Sequence, residues 1–307
     1  MRCSNQRRKG AVFVPACLVF SVFMVANSSV SSVAGQTFRA RLDLVQVGVA
    51  VTDGNGRLIT GLSKDDFQVW EDGIEQKVIQ FTDERVPVSL GVLLDASDSM
   101  RGQPVVDART ALDRFVGELL LPDDEAFVAT FNHSASLAAR WRTPPSALTN
   151  VLRGLQPTGG TAIYDALIET TTLFARRVNS RAAMVVISDG ADTASDSTLH
   201  QAVDAVRGSD MLVYAIAIDP PDARASTRVN PEALRELTSL SGGYTEVVRS
   251  ASDLGPATAR IADELNKLYT LGYSSSRPPD GSWRNLRVRV RNAEYFVRAR
   301  RGYYAYR

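Results

Sequence analysis

Cysteine is nearly absent from this 307-residue chain. Cys3 and Cys17 are the only two, and both lie in a segment that reads as removable. A chain beginning after residue 35 has no thiol, so it forms no disulfide and no cysteine metal site, and it is indifferent to the redox state of its compartment. Histidine is equally scarce. His133 and His200 stand far apart, with no second ligand at metal spacing, which leaves them surface or structural roles and supplies no Ser-His-Asp arrangement. There is no phosphate loop, and no glycine-rich turn follows the first strong strand to receive a dinucleotide. An enzyme is therefore not expected. Nor does either charge dominate: 35 Lys and Arg face 34 Asp and Glu. Residues 1–35 hold Arg2, Arg7, Arg8 and Lys9 but no acid, so the remainder is slightly acidic. A balance of that kind shows no polyanion footprint, and nucleic acid is not an expected partner.

What is present begins with that N-terminal stretch. Basic residues run to Lys9, apolar ones from 11 to 26, and small or polar ones to Gly35, the three regions of an export signal. Residues 1–35 are read as a signal peptide cleaved after Gly35, with Val33 at the minus-three place. The protein is then exported, to the periplasm or the extracellular space, and it meets a membrane only if the signal is retained as an anchor. Lipid attachment at Cys17 is disfavoured, because too little apolar sequence precedes it.

The rest is 44% apolar by whole-chain composition and reads as globular. Residues 36–86 form a β segment: Leu42, Leu44, Val47, Val49 and Val51 nearly alternate, and the turn signals at Asp53-Gly54 and Asp72-Gly73 separate further short strands. The carboxylates Asp53, Asp65, Asp66, Glu71 and Asp72 are accounted for by turns and solvated loops. Beyond Pro87 apolar runs alternate with helical spacing. Strands are expected at 88–95, 126–131, 137–141, 182–188 and 211–218. Helices are expected at 105–121, 161–178, 199–207, 231–240 and 254–269. This pattern predicts an α/β, doubly wound, mostly parallel sheet with helices on both faces over residues 87–270. Residues 271–307 return to β character, with Leu286, Val288 and Val290 alternating with Arg287, Arg289 and Arg291. An apolar face toward a core and an arginine face toward solvent is the expectation. Neither terminal segment has enough chain for its own core, so 271–307 is expected to pair with 36–86 in a small β-domain.

Residues 88–100, VSLGVLLDASDSM, are the centre of the pattern. A buried strand ends in Asp95, Ser97 and Ser99, three small oxygen-bearing side chains at alternate positions on the loop at its carboxyl edge. Two further pieces fall at comparable places: Gly159-Gly160-Thr161 before a helix, and Ser188-Asp189-Gly190 after a strand. In open sheets of this kind ligands sit at the carboxyl ends of the strands. Hard divalent cations take oxygen ligands, and hydroxyl donors leave the ion with net positive charge toward an outside carboxylate. Each fragment alone also has a plainer reading. Ser99 or Asp98 caps the next helix, Thr161 is an N-cap, and Asp189-Gly190 is an ordinary turn.

Together, Asp95-Ala96-Ser97-Asp98-Ser99, Thr161 and Ser188-Asp189-Gly190 resemble the metal-ion-dependent adhesion site of von Willebrand factor type A domains. More loosely, the whole chain resembles a bacterial, notably acidobacterial, group of exported proteins related to that domain, in which a segment like Gly61-Leu62-Ser63-Lys64-Asp65-Asp66-Phe67 and Glu71-Asp72-Gly73 precedes the strand. The resemblance implies Ser97, Ser99 and Thr161 as direct or switchable metal ligands, with Asp95 and Asp189 holding the ion mainly through water. The ion would be Mg²⁺, or Mn²⁺ or Ca²⁺. It further implies an adhesion-type module whose protein partner presents an Asp or Glu to that ion. The alternative is an envelope scaffold that keeps the fold without using the metal. Asp98 departs from the family, which usually has Gly there; it either adds negative charge at the ion or turns to solvent.

Overall fold

The computed structural model describes residues 44–144, 147, 153–219 and 229–306. The expected export signal at 1–35, residues 36–43 and the proline-rich stretch at 220–228 lie outside the described residues. The first strands are β1 (Leu44–Thr52), β2 (Phe67–Glu71), β3 (Ile74–Gln76) and β4 (Val78–Thr82). There follow β5 (Val88–Asp95), α1 (Gln103–Arg114), β6 (Glu125–Phe131), β7 (Ala135–Ala139), α2 (Ile163–Thr171), β8 (Arg181–Ser188) and α3 (Leu199–Gly208). Next come β9 (Leu212–Ile218), α4 (Pro231–Ser241), β10 (Thr245–Val248) and α5 (Leu254–Lys267). Strands β11 (Tyr269–Ser274), β12 (Trp283–Val290), β13 (Phe296–Ala299) and β14 (Gly302–Tyr304) complete the order.

A six-stranded sheet in the order β10-β9-β8-β5-β6-β7 is parallel except for β7, which runs antiparallel at one edge. Strands β5, β6, β8 and β9 are buried along their whole length, as continuous apolar runs between two helical layers must be. Val88, Leu90, Val92 and Leu94 of β5 join a core with α1 and α5, while Leu93 faces the opposite core with α2, α3 and α4. The chain leaves β5 for β6 on one side and later returns to β8 on the other, so the carboxyl end of β5 is where the winding reverses. Crevices at such points receive ligands.

Terminal segments far apart in sequence pair directly. Strand β1 lies between β13 and β11, and β11 continues to β4; β12 lies between β14 and β2, and β2 continues to β3. Val47, Val49 and Val51 of the first sheet and Phe67, Val69 and Leu286 of the second share one apolar cluster with Tyr269, Leu271 and Tyr273. Each half contributes strands the other lacks, which is how short segments obtain a core.

The helix expected over 254–269 stops at Lys267, since Tyr269 opens β11, and two other helix boundaries depart further from the periodicity. Regular α-helix stops at Arg114, and Phe115–Leu119 continue as a π turn rather than reaching residue 121 as α-helix. The helix expected over 161–178 begins at Ile163 and tightens into a 3₁₀ turn over Thr172–Arg176. Thr170, Thr171 and Thr172 each donate a hydroxyl to a carbonyl three or four residues back, which competes with regular helix.

The arginine face of β12 meets solvent as alternation predicts, with Arg287, Arg289 and, just past its end, Arg291 exposed. Arg284 lies instead on the opposite, apolar face with Leu286 and is 1% exposed. Arg298 pairs with the buried carboxylate of Glu264 on α5 and lies over the Tyr244 ring. At the same junction Arg181 donates to the carbonyls of Leu265 and Leu268 and to the Thr270 hydroxyl, closing the end of α5.

Candidate site at the end of β5

Asp95 is the last residue of β5 and has no exposed surface. Its Oδ1 accepts from the Ser97 backbone N–H at 2.8 Å, and its Oδ2 accepts from the Ser188 hydroxyl at 2.5 Å. The register that places Leu94 beside Ile187 brings the following residues of β5 and β8 together, so Ser188 reaches Asp95 from the neighbouring strand end. Sequence reasoning placed Ser188 in the Ser188-Asp189-Gly190 fragment but gave it no role of its own. The signal was a hydroxyl closing an apolar strand immediately before Asp189.

The five expected donors converge. Ser97 is 1% exposed and its Oγ lies 3.0 Å from Ser99 Oγ; Ser99 in turn donates to Asp189 Oδ1 at 2.6 Å. A Cβ placed on Gly190 would stand 3.2 Å from Thr161 Oγ1 and 3.7 Å from Ser99 Oγ, so these two hydroxyls share the space beside Gly190. The plainer capping readings do not hold here. Gly102 is the N-cap of α1 and makes no side-chain cap. The N-cap of α2 is Ala162 rather than Thr161.

Backbone contacts stitch the three loops together. Thr158 N–H donates to Ala96 O at 2.8 Å and Asp98 N–H donates to Gly159 O at 2.9 Å. Thr161 N–H donates to Thr193 Oγ1, and the N–H groups of Thr193 and Ala194 return to Thr161 O. The loop that carries Asp189 therefore also clamps Thr161. His133, in the turn between β6 and β7, accepts the Gly160 N–H at 3.1 Å. Gly159 sits at φ +81°, and a Cβ there would lie 2.6 Å from the His133 ring, so that position requires glycine. His133 thus has a structural role at the edge of the site. His200 is exposed beside Asp204 on α3.

Electrostatically the site is incomplete. Burial, with a smaller contribution from the Asp189 charge, pushes the Asp95 carboxyl up to about 6 despite the hydroxyl and amide donors. Burial likewise raises Asp189, against the Ser99 hydrogen bond. Neither carboxylate has a basic side chain among its partners in the described residues. Asp98 turns outward and pairs with Arg101 at 2.8 Å, both side chains being more than half exposed. Among the described residues no three carboxylate, imidazole or thiol groups cluster as a metal site. The donor set is instead two carboxylates and three hydroxyls. All are oxygen, and the two negative charges, one buried and one half-buried, have no basic partner among the described residues, which is a set that fits a hard divalent cation.

Residues 90–191 match the family model of the von Willebrand factor type A domain. Among solved structures, a von Willebrand factor type A protein from Catenulispora acidiphila superposes with a TM-score of 0.53 at 14% identity, covering 88% of this chain and 65% of that one. That share is larger than the six-stranded sheet and its helices occupy, so the likeness extends into the β-domain. An aerotolerance-related membrane protein from Bacteroides fragilis gives a TM-score of 0.50 at 21% identity over 59% of this chain and 99% of that one. Proximal thread matrix protein 1 from the mussel byssus gives 0.51 at 16% identity, over 64% and 51%. At these identities the likeness is one of fold. No curated protein matches the sequence.

Proposed function

Because this chain carries a von Willebrand factor type A domain over residues 90–191, we propose that it is a binding module in which a divalent cation at the end of β5 receives an Asp or Glu of a protein partner. One observation carries the reading. Asp95 is fully buried and Asp189 half-buried beside the hydroxyls of Ser97, Ser99 and Thr161, with no basic side chain among the described residues to balance them. When bound, the ion supplies a positive centre that an outside carboxylate can complete. The chain's own residues do the rest. Ser97, Ser99 and Thr161 offer neutral oxygens, which leave the ion its charge; Asp95 and Asp189 attract and retain it; Ser188 and the Ser97 amide orient Asp95. Mg²⁺ is the first candidate ion, with Mn²⁺ and Ca²⁺ as alternatives. The proposal is of binding rather than catalysis. Placement outside the cytoplasm rests on residues 1–35; among the described residues no helix is long and apolar enough to cross a membrane.

A scaffold that leaves the ion unused is the second reading. The hydroxyl network closed on itself, Ser97 to Ser99 to Asp189 and Ser188 to Asp95, favours it. Thermal unfolding of the chain in Mg²⁺, Mn²⁺ or Ca²⁺ against EDTA separates the two. At a cation concentration about 100 times Kd the module is expected to gain about 2.7 kcal/mol, and Ser97→Ala with Thr161→Ala is expected to lose most of that gain. A parent chain that unfolds identically in cation and chelator would leave only the scaffold.

A further inference from the structure

Beside the loop that carries Ser97 and Ser99 lies a cavity of about 430 Å³, lined in part by Arg101, Val105, Arg109, Gln156, Pro157 and Thr158. Two arginines on one small wall are unusual in a chain whose charges otherwise balance. Their partners are weak or incomplete. Arg101 donates Nε to Pro157 O at 2.9 Å and, among the described residues, meets only the exposed Asp98 carboxylate. Arg109 donates Nη2 to Leu155 O, while its Nε is buried with no hydrogen-bond partner among the described residues. Asp113, one turn further along α1, does not serve it; its own Oδ1 is likewise buried and unpartnered. Arg109 therefore lines the cavity as a cation with no carboxylate paired to it among the described residues, and an anion in the cavity would supply that missing counter-charge.

The geometry points to a carboxylate subsite in this cavity, where a second acidic side chain of the partner is held by Arg101 and Arg109. This deepens the binding role proposed above and rests on it for the identity of the ligand as an acidic peptide. Arg101 is two residues from Ser99, so a peptide whose first carboxylate meets the cation has its neighbouring residues over the cavity mouth. Asp98 acts as the resident anion at Arg101. Its side chain is 60% exposed, and screened pairs of that kind are weak enough for a ligand carboxylate to exchange with it. The partner is thus an acidic segment with two carboxylates close together, rather than one isolated Asp or Glu.

The test follows the arginine Nε–H signals of the ¹⁵N-labelled chain, assigned through Arg101→Gln and Arg109→Gln. The probe is a blocked hexapeptide with two glutamates, and its control has glutamine at both places. In EDTA the Arg109 signal is expected to shift saturably with the acidic probe and to stay still with the control. In Mg²⁺ the two-glutamate probe is expected to bind about ten-fold tighter than a one-glutamate probe. That advantage is expected to vanish in Arg109→Gln, whose dispersed amide spectrum verifies its fold. Arg101→Gln, on the exposed side of the cavity, serves as the second variant. No saturable shift in EDTA, or equal shifts with acid and control, would overturn the subsite. A shift that persists in EDTA in a chain indifferent to Mg²⁺ would support the subsite while the cation reading failed.

Discussion

Two buried carboxylates, Glu71 in the β-domain and Asp95 at the end of β5, are equally hidden from water and differently served. Glu71 is 1% exposed. It accepts from the hydroxyls of Tyr273, Ser275 and Tyr303 at 2.7–2.8 Å and from Arg284 Nη1 at 3.1 Å. Burial alone would raise its carboxyl, but those hydroxyls and the Arg284 charge outweigh burial and hold it below the ordinary range. Asp95 has only the Ser188 hydroxyl and the Ser97 loop, and burial wins, leaving it near 6. The β-domain finishes its own electrostatics within the chain. The site at the end of β5 leaves Asp95 and Asp189 without a positive charge among the described residues, and that shortfall separates a structural carboxylate from one open to a ligand.

The largest effect expected comes from breaking the finished site. Glu71→Gln leaves the buried Arg284 with only the half-exposed Asp280 carboxylate at 3.6 Å and should cost about 3–5 kcal/mol in urea unfolding, with or without Mg²⁺. A loss below about 1 kcal/mol would mean that the Glu71–Arg284 pair does not hold the β-domain. Asp95→Asn should move the other way. A carboxyl whose native pKa is raised favours folding while protonated, below about pH 4, and that contribution is lost as pH climbs through about 6. Without cation the parent should therefore lose stability on the order of 3 kcal/mol from this group between about pH 4 and 6. The Asn variant should escape that loss in EDTA and show no gain from Mg²⁺, whereas the parent's Mg²⁺ gain should grow from pH 5 to 7. An Asn variant less stable than the parent in EDTA at pH 7.5 would erase the contrast. The smallest effect is at Asp98, whose charge lies outside both networks. Asp98→Asn should change stability by less than about 0.5 kcal/mol and should tighten an acidic probe a few-fold at low salt. That gain should fade above roughly 0.3 M salt, and a gain that survived would place the Asp98 charge inside the site.

Several features were legible from residue order alone. Buried parallel strands announce themselves as continuous apolar runs, and β5, β6, β8 and β9 lie within a residue of their expected ends. The resemblance to the von Willebrand factor type A site grouped Asp95, Ser97, Ser99, Thr161 and Asp189 as one neighbourhood, and the donors that follow β5 and β8 meet because a parallel sheet brings its carboxyl ends to one edge. Glu71 was not legible as a core residue, since beside Asp72-Gly73 it reads as part of a turn. Arg284 was equally hidden, because its importance depends on which strand pairs with β12. Ser188 and His133 act on neighbours more than 25 residues away, so no local pattern tells which residues they serve.

The sequence by itself determined the class of fold, the line between α/β and β parts, and the oxygen character of the donors. Those follow from periodicity and side-chain chemistry, which are local. Only the tertiary structure decided that Asp95 is left without a counter-charge while Glu71 receives Arg284. It also decided that Asp98 turns to Arg101 instead of the site, and that a cavity with two arginines opens beside it. Charge balance at a buried point depends on what segments distant in sequence bring within a few ångströms, and that is settled when strands pair and helices pack.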